Sequence, residues 1–247
     1  IVDGKAGIEV ADLEDDRDNK ETTKPNVSVI DDQGLDTSKP GVYTVTLKAT
    51  DSEGKDSVEK NDDTDKFDVV VVEGIPQIVS VSDNNIQPDV LKNIDKSQFP
   101  DDATFEYKEE VNTSEAGDKN VTVVVKDKAG NKLVEVPATV RVVESYPQYV
   151  PVNKEGISPK DSIDPSKFPE GTTFEYKEKP NTGSTGDKDV TVVAKLGTEI
   201  VAEIPAKIVV VDSKTQYVAE NKENTQPDAS KSVDPEQYPD GVTFKYK

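Results

Sequence analysis

Carboxylates are the one abundant reactive group in this 247-residue chain: 50 Asp and Glu stand against 30 Lys and Arg, for a net charge of -20 and a pI near 4.4. The residues that usually turn carboxylates into machinery are missing. With no His and no Cys there is neither the common general base nor a thiol nucleophile, and with no Met the last soft metal ligand is gone. A His-dependent triad, a zinc site and a disulfide framework are thereby excluded. Carboxylates acting alone can hold a hard cation such as calcium. The run "DLEDDRDNKE", Asp12 to Glu21, is dense enough to try, and "NDDTD", Asn61 to Asp65, could join it in space. Its spacing lacks the sixth-position glycine and closing glutamate of an EF-hand loop, and Arg17 and Lys20 interrupt it. The preferred reading is a solvated acidic loop, with calcium as the alternative. No catalytic, cofactor-binding or metal residue is assigned.

Other candidates have bland readings that outweigh the sharp ones. Phe99, Phe105 and Tyr107 could stack a sugar, but Phe105 and Tyr107 are two apart on one strand and share a side. A small unit with few other large apolar groups needs them for its core. Tyr146, Tyr149 and Tyr217 fall near unit junctions and suit contacts between neighbouring domains. Lys108 and Lys177 follow the strand aromatics directly, so they face water, away from the buried acid that an isopeptide bond requires. Asn26, Asn112 and Asn120 satisfy a glycosylation sequon, which matters only in a eukaryotic secretory context.

The elements that position these residues are set by repetition. "QFPDDATFEYK" from Gln98 recurs as "KFPEGTTFEYK" from Lys167 and "QYPDGVTFKYK" from Gln237. A hairpin strand follows the first two, "NTSEAGDKNVTVVVKD" from Asn112 and "NTGSTGDKDVTVVAK" from Asn181, and "DTSKPGVYTVTLKATD" from Asp36 resembles it. Period-two alternation puts Val121, Val123 and Val125 on one face, with Val190, Val192 and Ala194, or Val45, Leu47 and Ala49, in the same inward register. Each unit closes on a β-branched strand, "ATVRVVE", "AKIVVVD" or "FDVVVVE". Pro137 and Pro205 precede two of these and predict an edge or a strand start. Asp164-Pro165 and Asp234-Pro235 predict one capped helical or 3₁₀ turn, and Asp102, Gly171 and Gly241 a tight turn of positive φ. The predicted class is all-β, in tandem sandwich modules. The boundaries are 1–74, 75–145, 146–213 and a truncated first stretch of a further repeat at 214–247.

The stretch from "SPKDSIDPSKFPEGTTFEYK" through "NTGSTGDKDVTVVAK" to "EIPAKIVVV" resembles the Rib domain of Gram-positive surface proteins, and the resemblance covers Ile75 to Lys247. Asp102 departs from the glycine of that pattern. Ile1 to Gly74, through "GLDTSKPGVYTVTLKATDSEGK", resembles a bacterial immunoglobulin-like module. The resemblance implies an elongated array of immunoglobulin-like (Rib-like) repeats in an extracellular protein attached to the cell wall. There it would form a non-catalytic stalk or spacer that projects an adhesive domain. No LPXTG sorting motif occurs in the sequence, so attachment rests on the family alone. The absence of Met, and a chain ending on an aromatic strand, predict an excised piece whose parent continues with more repeats. The incomplete last copy is expected to fray or to pack on a neighbour.

Charge limits the partners. Such an acidic surface repels phosphate backbones and anionic membranes, which argues against nucleic acid, and no apolar run nears the roughly 20 residues that span a bilayer. Neighbouring repeats of the parent chain are the expected partners of a monomer. The first 74 residues carry 20 acidic and 9 basic side chains, a net of -11, against -9 for the rest. That contrast supports an alternative, an adhesive module in the first unit recognising a host protein, a glycan or calcium. A second alternative is accessory repeats of a secreted hydrolase. Calorimetric titration of residues 1 to 74 with calcium, using the repeats as control, is expected to show no binding; heat confined to the first unit would identify a cation site.

Overall fold

The computed structural model describes residues 26–50, 66–82, 84–220 and 226–246. The runs Asp12 to Glu21 and Asn61 to Asp65, read as solvated acidic loops with calcium as the alternative, lie outside them. The chain is all-β, in tandem immunoglobulin-like modules, and has no α-helix among the described residues. It divides into two compact units, 1–73 with 97–100, and 74–96 with 101–247.

In the first unit β1 (Asn26–Asp31), β2 (Gly41–Thr50) and β3 (Lys66–Val71) form an antiparallel sheet in the order β1-β2-β3. Alternation along β2 buries Val45 and Leu47 together with Val27, and Leu35, Phe67 and Val69 pack around them.

The second unit holds two copies of one four-stranded sheet. Repeat 1 contributes β4 (Gln77–Ser80), β5 (Thr104–Tyr107), β6 (Gly117–Lys126) and β7 (Lys132–Val143), in the order β4-β7-β6-β5. Repeat 2 contributes β8 (Gln148–Pro151), β9 (Thr172–Tyr176), β10 (Gly186–Leu196) and β11 (Glu199–Val211), in the order β8-β11-β10-β9. The three later strands of each are antiparallel, whereas the first strand lies parallel beside the last. The expected inward register is observed: Val123 and Val125, like Val192 and Ala194, are fully buried, and Val121 and Val190 pack at the edge of the core. Val136, Val140 and Val142 on β7, and Ile204, Ile208 and Val210 on β11, complete it. Each such side chain contributes about 1.5–3 kcal/mol by leaving water.

The segment between the first strand and the aromatic strand packs over the sheet and carries two 3₁₀ turns. These are Val90–Asn93 and Lys96–Gln98, then Pro159–Ser162 and Pro165–Lys167, and in the third copy Ala229–Ser232 and Pro235–Gln237. The Asp-Pro signal located the later turn in the second and third copies: Asp164 accepts from the Ser166 amide at 3.0 Å, while Asp234 holds the same place without a capping bond.

Two expectations need correction. Pro137 and Pro205 lie inside β7 and β11 and mark no strand start, although the edge half of the expectation holds locally. They are tolerated because β4 and β8 reach only Val140–Val143 and Ile208–Val211, so the outer side of each proline is locally unpaired. At Pro137 that space is taken by Gly74: a Cβ there would run into the Pro137 carbonyl and come within 2.8 Å of the Ala138 Cβ. Asp102 does not share the positive φ of Gly171 (84°) and Gly241 (86°); left-handed non-glycine residues among those described are Gln33, Asn85 and Asn153.

In repeat 2 a polar clasp ties the first strand to the aromatic strand. Gln148 Nε2 lies within hydrogen-bond reach of Ser158 O at 2.8 Å, Ser162 Oγ at 2.6 Å and the Tyr176 hydroxyl at 2.8 Å, three acceptors that share its two N–H groups. In repeat 1 the larger Asn93 replaces Ser162 and takes over: its Oδ1 accepts from the Tyr107 hydroxyl at 2.5 Å, and its Nδ2 donates to Ile75 O and Thr139 O. Gln77 then keeps one bond, to Asp89 O at 3.1 Å. The third copy repeats the plan, with Gln216 Nε2 on Asp228 O at 2.8 Å and Ser232 Oγ 3.1 Å from the Tyr246 hydroxyl. Burial, with the Asp89 carboxylate nearby, pushes the Tyr107 phenol up to about 12. Burial raises Tyr176 as well, against hydrogen bonds from Ser162 and Gln148 that lower it.

Tyr107→Phe, which strips Asn93 Oδ1 of this buried donor, is expected to cost about 1–3 kcal/mol, and Tyr176→Phe only about 0.5–1.5, since the Gln148 amide keeps two partners. Thermal unfolding of the two variants tests that order. The raised Tyr107 pKa favours the neutral phenol in the folded state, so its contribution is whole below pH 10 and is lost as pH rises through about 12. Tyr107→Phe should abolish that alkaline loss.

Candidate functional site

Among the described residues no group of three or more acidic side chains is arranged to hold a metal ion. The side chains singled out by sequence converge instead on the junctions between copies within the second unit. Phe168, 7% exposed, meets Phe174 edge-on with centroids 5.0 Å apart. They belong to a cluster with Ile163, Val192 and Ile204 of repeat 2 and with Val143 and Ile78 of repeat 1. In repeat 2 these aromatics are core shared with repeat 1; of the candidates themselves, Tyr107 packs against Val111, Val140 and Val142, and Phe99 and Phe105 are half-buried.

A polar tie lies beside it. Arg141 on β7 makes a two-pronged pair with Asp118 on β6, at 2.6 and 2.8 Å, and its remaining nitrogen donates to Lys167 O of repeat 2 at 3.1 Å. The Arg141 hydrogen bond holds the Asp118 carboxyl below the usual range. The linker is stitched down as well, by a Ser145–Ile163 bridge and the Tyr146 amide on Ser162 O at 2.8 Å. A cleft of about 520 Å³ results, lined by Asp118, Arg141, Tyr146, Asp164, Ser166 and Lys167.

The next junction reuses the plan with other residues. Lys207 pairs with Asp187 at 2.7 Å in place of Arg141 and Asp118. Tyr149 stacks on Tyr238 at 5.2 Å, and Phe244 meets Tyr238 edge-on at 4.9 Å. The expectation that the third copy packs on a neighbour is met there, although Val242 to Tyr246 form no strand. Of the three junction tyrosines, Tyr149 makes a ring contact across copies, Tyr146 lines the first cleft, and Tyr217 stands 92% exposed.

The remaining candidates are peripheral. Lys108 and Lys177 form exposed ion pairs with Glu135 and Glu203, each at 2.8 Å, on the outer face. Hydrogen bonds from Lys108 and Lys132 pull the Glu135 carboxyl down to about 2. Asn112 Oδ1 caps its own turn through the Ser114 amide, and Asn120 is exposed on β6. Sequence reasoning missed Gln148, Arg141 and Asn93. The recurring "PQ" or "TQ" ahead of each first strand was the available signal for the glutamine.

A family profile described as the Rib domain matches residues 63–144 and 143–212, more than half of the chain. The chain belongs to the Rib domain family. Rib domains are repeats of surface proteins, so this is a cell-surface repeat segment with an extracellular setting, built from a structural module. Among solved structures it is similar to a Rib structure from Streptococcus pyogenes, 28% identical over 28% of this chain and 89% of that one, with a TM-score of 0.26. Human mucin-like protocadherin EC1-2 is 10% identical over 57% of this chain and 98% of its own, TM-score 0.19. Drosophila N-cadherin EC1-3 is 13% identical over 85% and 94%, TM-score 0.21. No curated protein matches. No helix among the described residues is long and apolar enough to cross a membrane.

At the first junction, Phe168→Ala is expected to cost about 3–5 kcal/mol and to loosen both repeats, because its cluster spans them. Arg141→Ala should change stability by less than about 1 kcal/mol, its pair with Asp118 being exposed. Denaturant unfolding of both variants checks the contrast.

Proposed function

We propose that the chain is a non-catalytic stalk segment: Rib repeats in series that hold an adhesive part of the parent protein away from the cell wall to which that protein is attached. One observation supports this above others, the recurrence of the same tie at each start of a copy. The amides of Ile75, Tyr146 and Lys214 donate to Asn93 O, Ser162 O and Ser232 O, each at 2.8 Å. A spacer needs copies that start alike, because its length is the sum of like units set in series. At the two junctions within the second unit Arg141 pairs with Asp118 and Lys207 with Asp187. Neighbouring repeats are the partners this reading requires.

Small-angle scattering of the whole chain tests it. Strands of six to eight residues give units of about 20–27 Å, so the units in line approach ~100 Å with a radius of gyration near ~29 Å. A value near ~18 Å, that of a compact globule of this length, would refute the stalk.

A further inference from the structure

Each Rib module begins and ends on neighbouring strands that run in the same direction. Gln77–Ser80 of β4 lie beside Val140–Val143 of β7, and Gln148–Pro151 of β8 beside Ile208–Val211 of β11. The chain comes in at the start of the first strand and leaves at the end of the last. Tension along the polypeptide therefore draws one strand backward along its axis and the other forward. The hydrogen bonds of a parallel pair run across that direction, so all of them carry the load together. In an antiparallel hairpin pulled from its open end, they would break singly, in sequence. Each pair is extended past its last residues by a further backbone bond, Val81 N to Val143 O at 2.9 Å and Val152 N to Val211 O at 3.0 Å.

Two features oppose the slide. A slip of one residue would turn every side chain of the first strand to the other face. That would pull Val150 from its cluster with Ile208 and Val210, and Val79 from Val140 and Val142. The second is the buried amide, for Gln148 is fixed to Ser158, Ser162 and Tyr176, which lie on the 3₁₀ segment and the aromatic strand. The first strand cannot translate without breaking those bonds as well.

We propose that the Rib modules are built to withstand tension, and that the parallel pairs β4–β7 and β8–β11 are shear clamps that keep each module folded when the chain is pulled lengthwise. Spacing alone needs no such clamp. The stalk reading supplies only the setting; the clamp belongs to a single module, so its failure would leave the scattering result untouched.

Single-molecule pulling on the whole chain tests the proposal. The sequence has no cysteine, so thiol handles go only where they are placed. Ser145→Cys with Asp212→Cys loads repeat 2 from its two ends; Thr185→Cys with Asp212→Cys peels β10 from β11. At one loading rate the force reports the unfolding barrier along each direction. The end-to-end force is expected to be several-fold higher than the peeling force, and Gln148→Ala should lower it. Equal forces in the two directions, or an end-to-end force unchanged by Gln148→Ala, overturns the clamp. If the Gln148→Ala chain does not fold, the comparison of directions alone decides.

Discussion

A buried carboxamide is costly unless its donors and acceptors are met, and in this protein that constraint organises the module. The Nε2 end of the first-strand glutamine finds its partners only when the 3₁₀ segment is in place, and in repeat 2 the aromatic strand too, while the Oε1 atoms of Gln77 and Gln216 are buried without a partner. Gln148 reaches both segments directly, and its own strand supplies the parallel edge of the sheet beside β11. The clasp thus couples segments 28 residues apart in sequence. Hydrophobic burial supplies most of the energy through valine and isoleucine, which pack in many ways. The polar clasp selects one register among them, because a slipped strand would leave its amide unpaired.

The two repeats solve the same problem with different side chains. Asn93 is larger than Ser162 and reaches the Tyr107 hydroxyl itself, so Gln77 is left with one partner where Gln148 has three. Variation is also visible at the junctions, where Arg141 and Asp118 are answered by Lys207 and Asp187, and the Tyr149–Tyr238 stack appears only at the second. What stays constant is the backbone tie of Ile75, Tyr146 and Lys214 to the first 3₁₀ turn. Side chains there are free to drift so long as the chain keeps the same path, and a repeated path is what an array in series requires.

Much of this was legible in the sequence because it rests on local pattern. Period-two valines gave the hairpins and their buried face, Asp-Pro gave the second 3₁₀ turn, and the recurring "FP" and "GDK" strings gave the repeats. Long-range pairing was not legible. Nothing in "PQYVP" says that it will lie parallel to a strand some 60 residues later. Without that pairing Pro137 and Pro205 read as an edge or a strand start, when they lie mid-strand at positions left open because the first strand is short. The earlier 3₁₀ turn of each pair was missed because its signals, Asp89 before "VLKN" and Ser158 before "PKDS", are weak when taken singly. The junction was half legible: the tyrosines marked its place, while Arg141, an ordinary charged residue on an outward face, gave no hint of reaching the next repeat.

The central claim is that the first strand of a module is held as firmly as its core. Native-state hydrogen exchange at the Tyr146 amide, which donates to Ser162 O at the root of the clasp, measures this directly. The account predicts exchange only through global unfolding, with the same opening free energy as the central amides of β10. Exchange at the rate of an unstructured peptide, while β10 stays protected, would show that the first strand is loosely attached and would contradict the account.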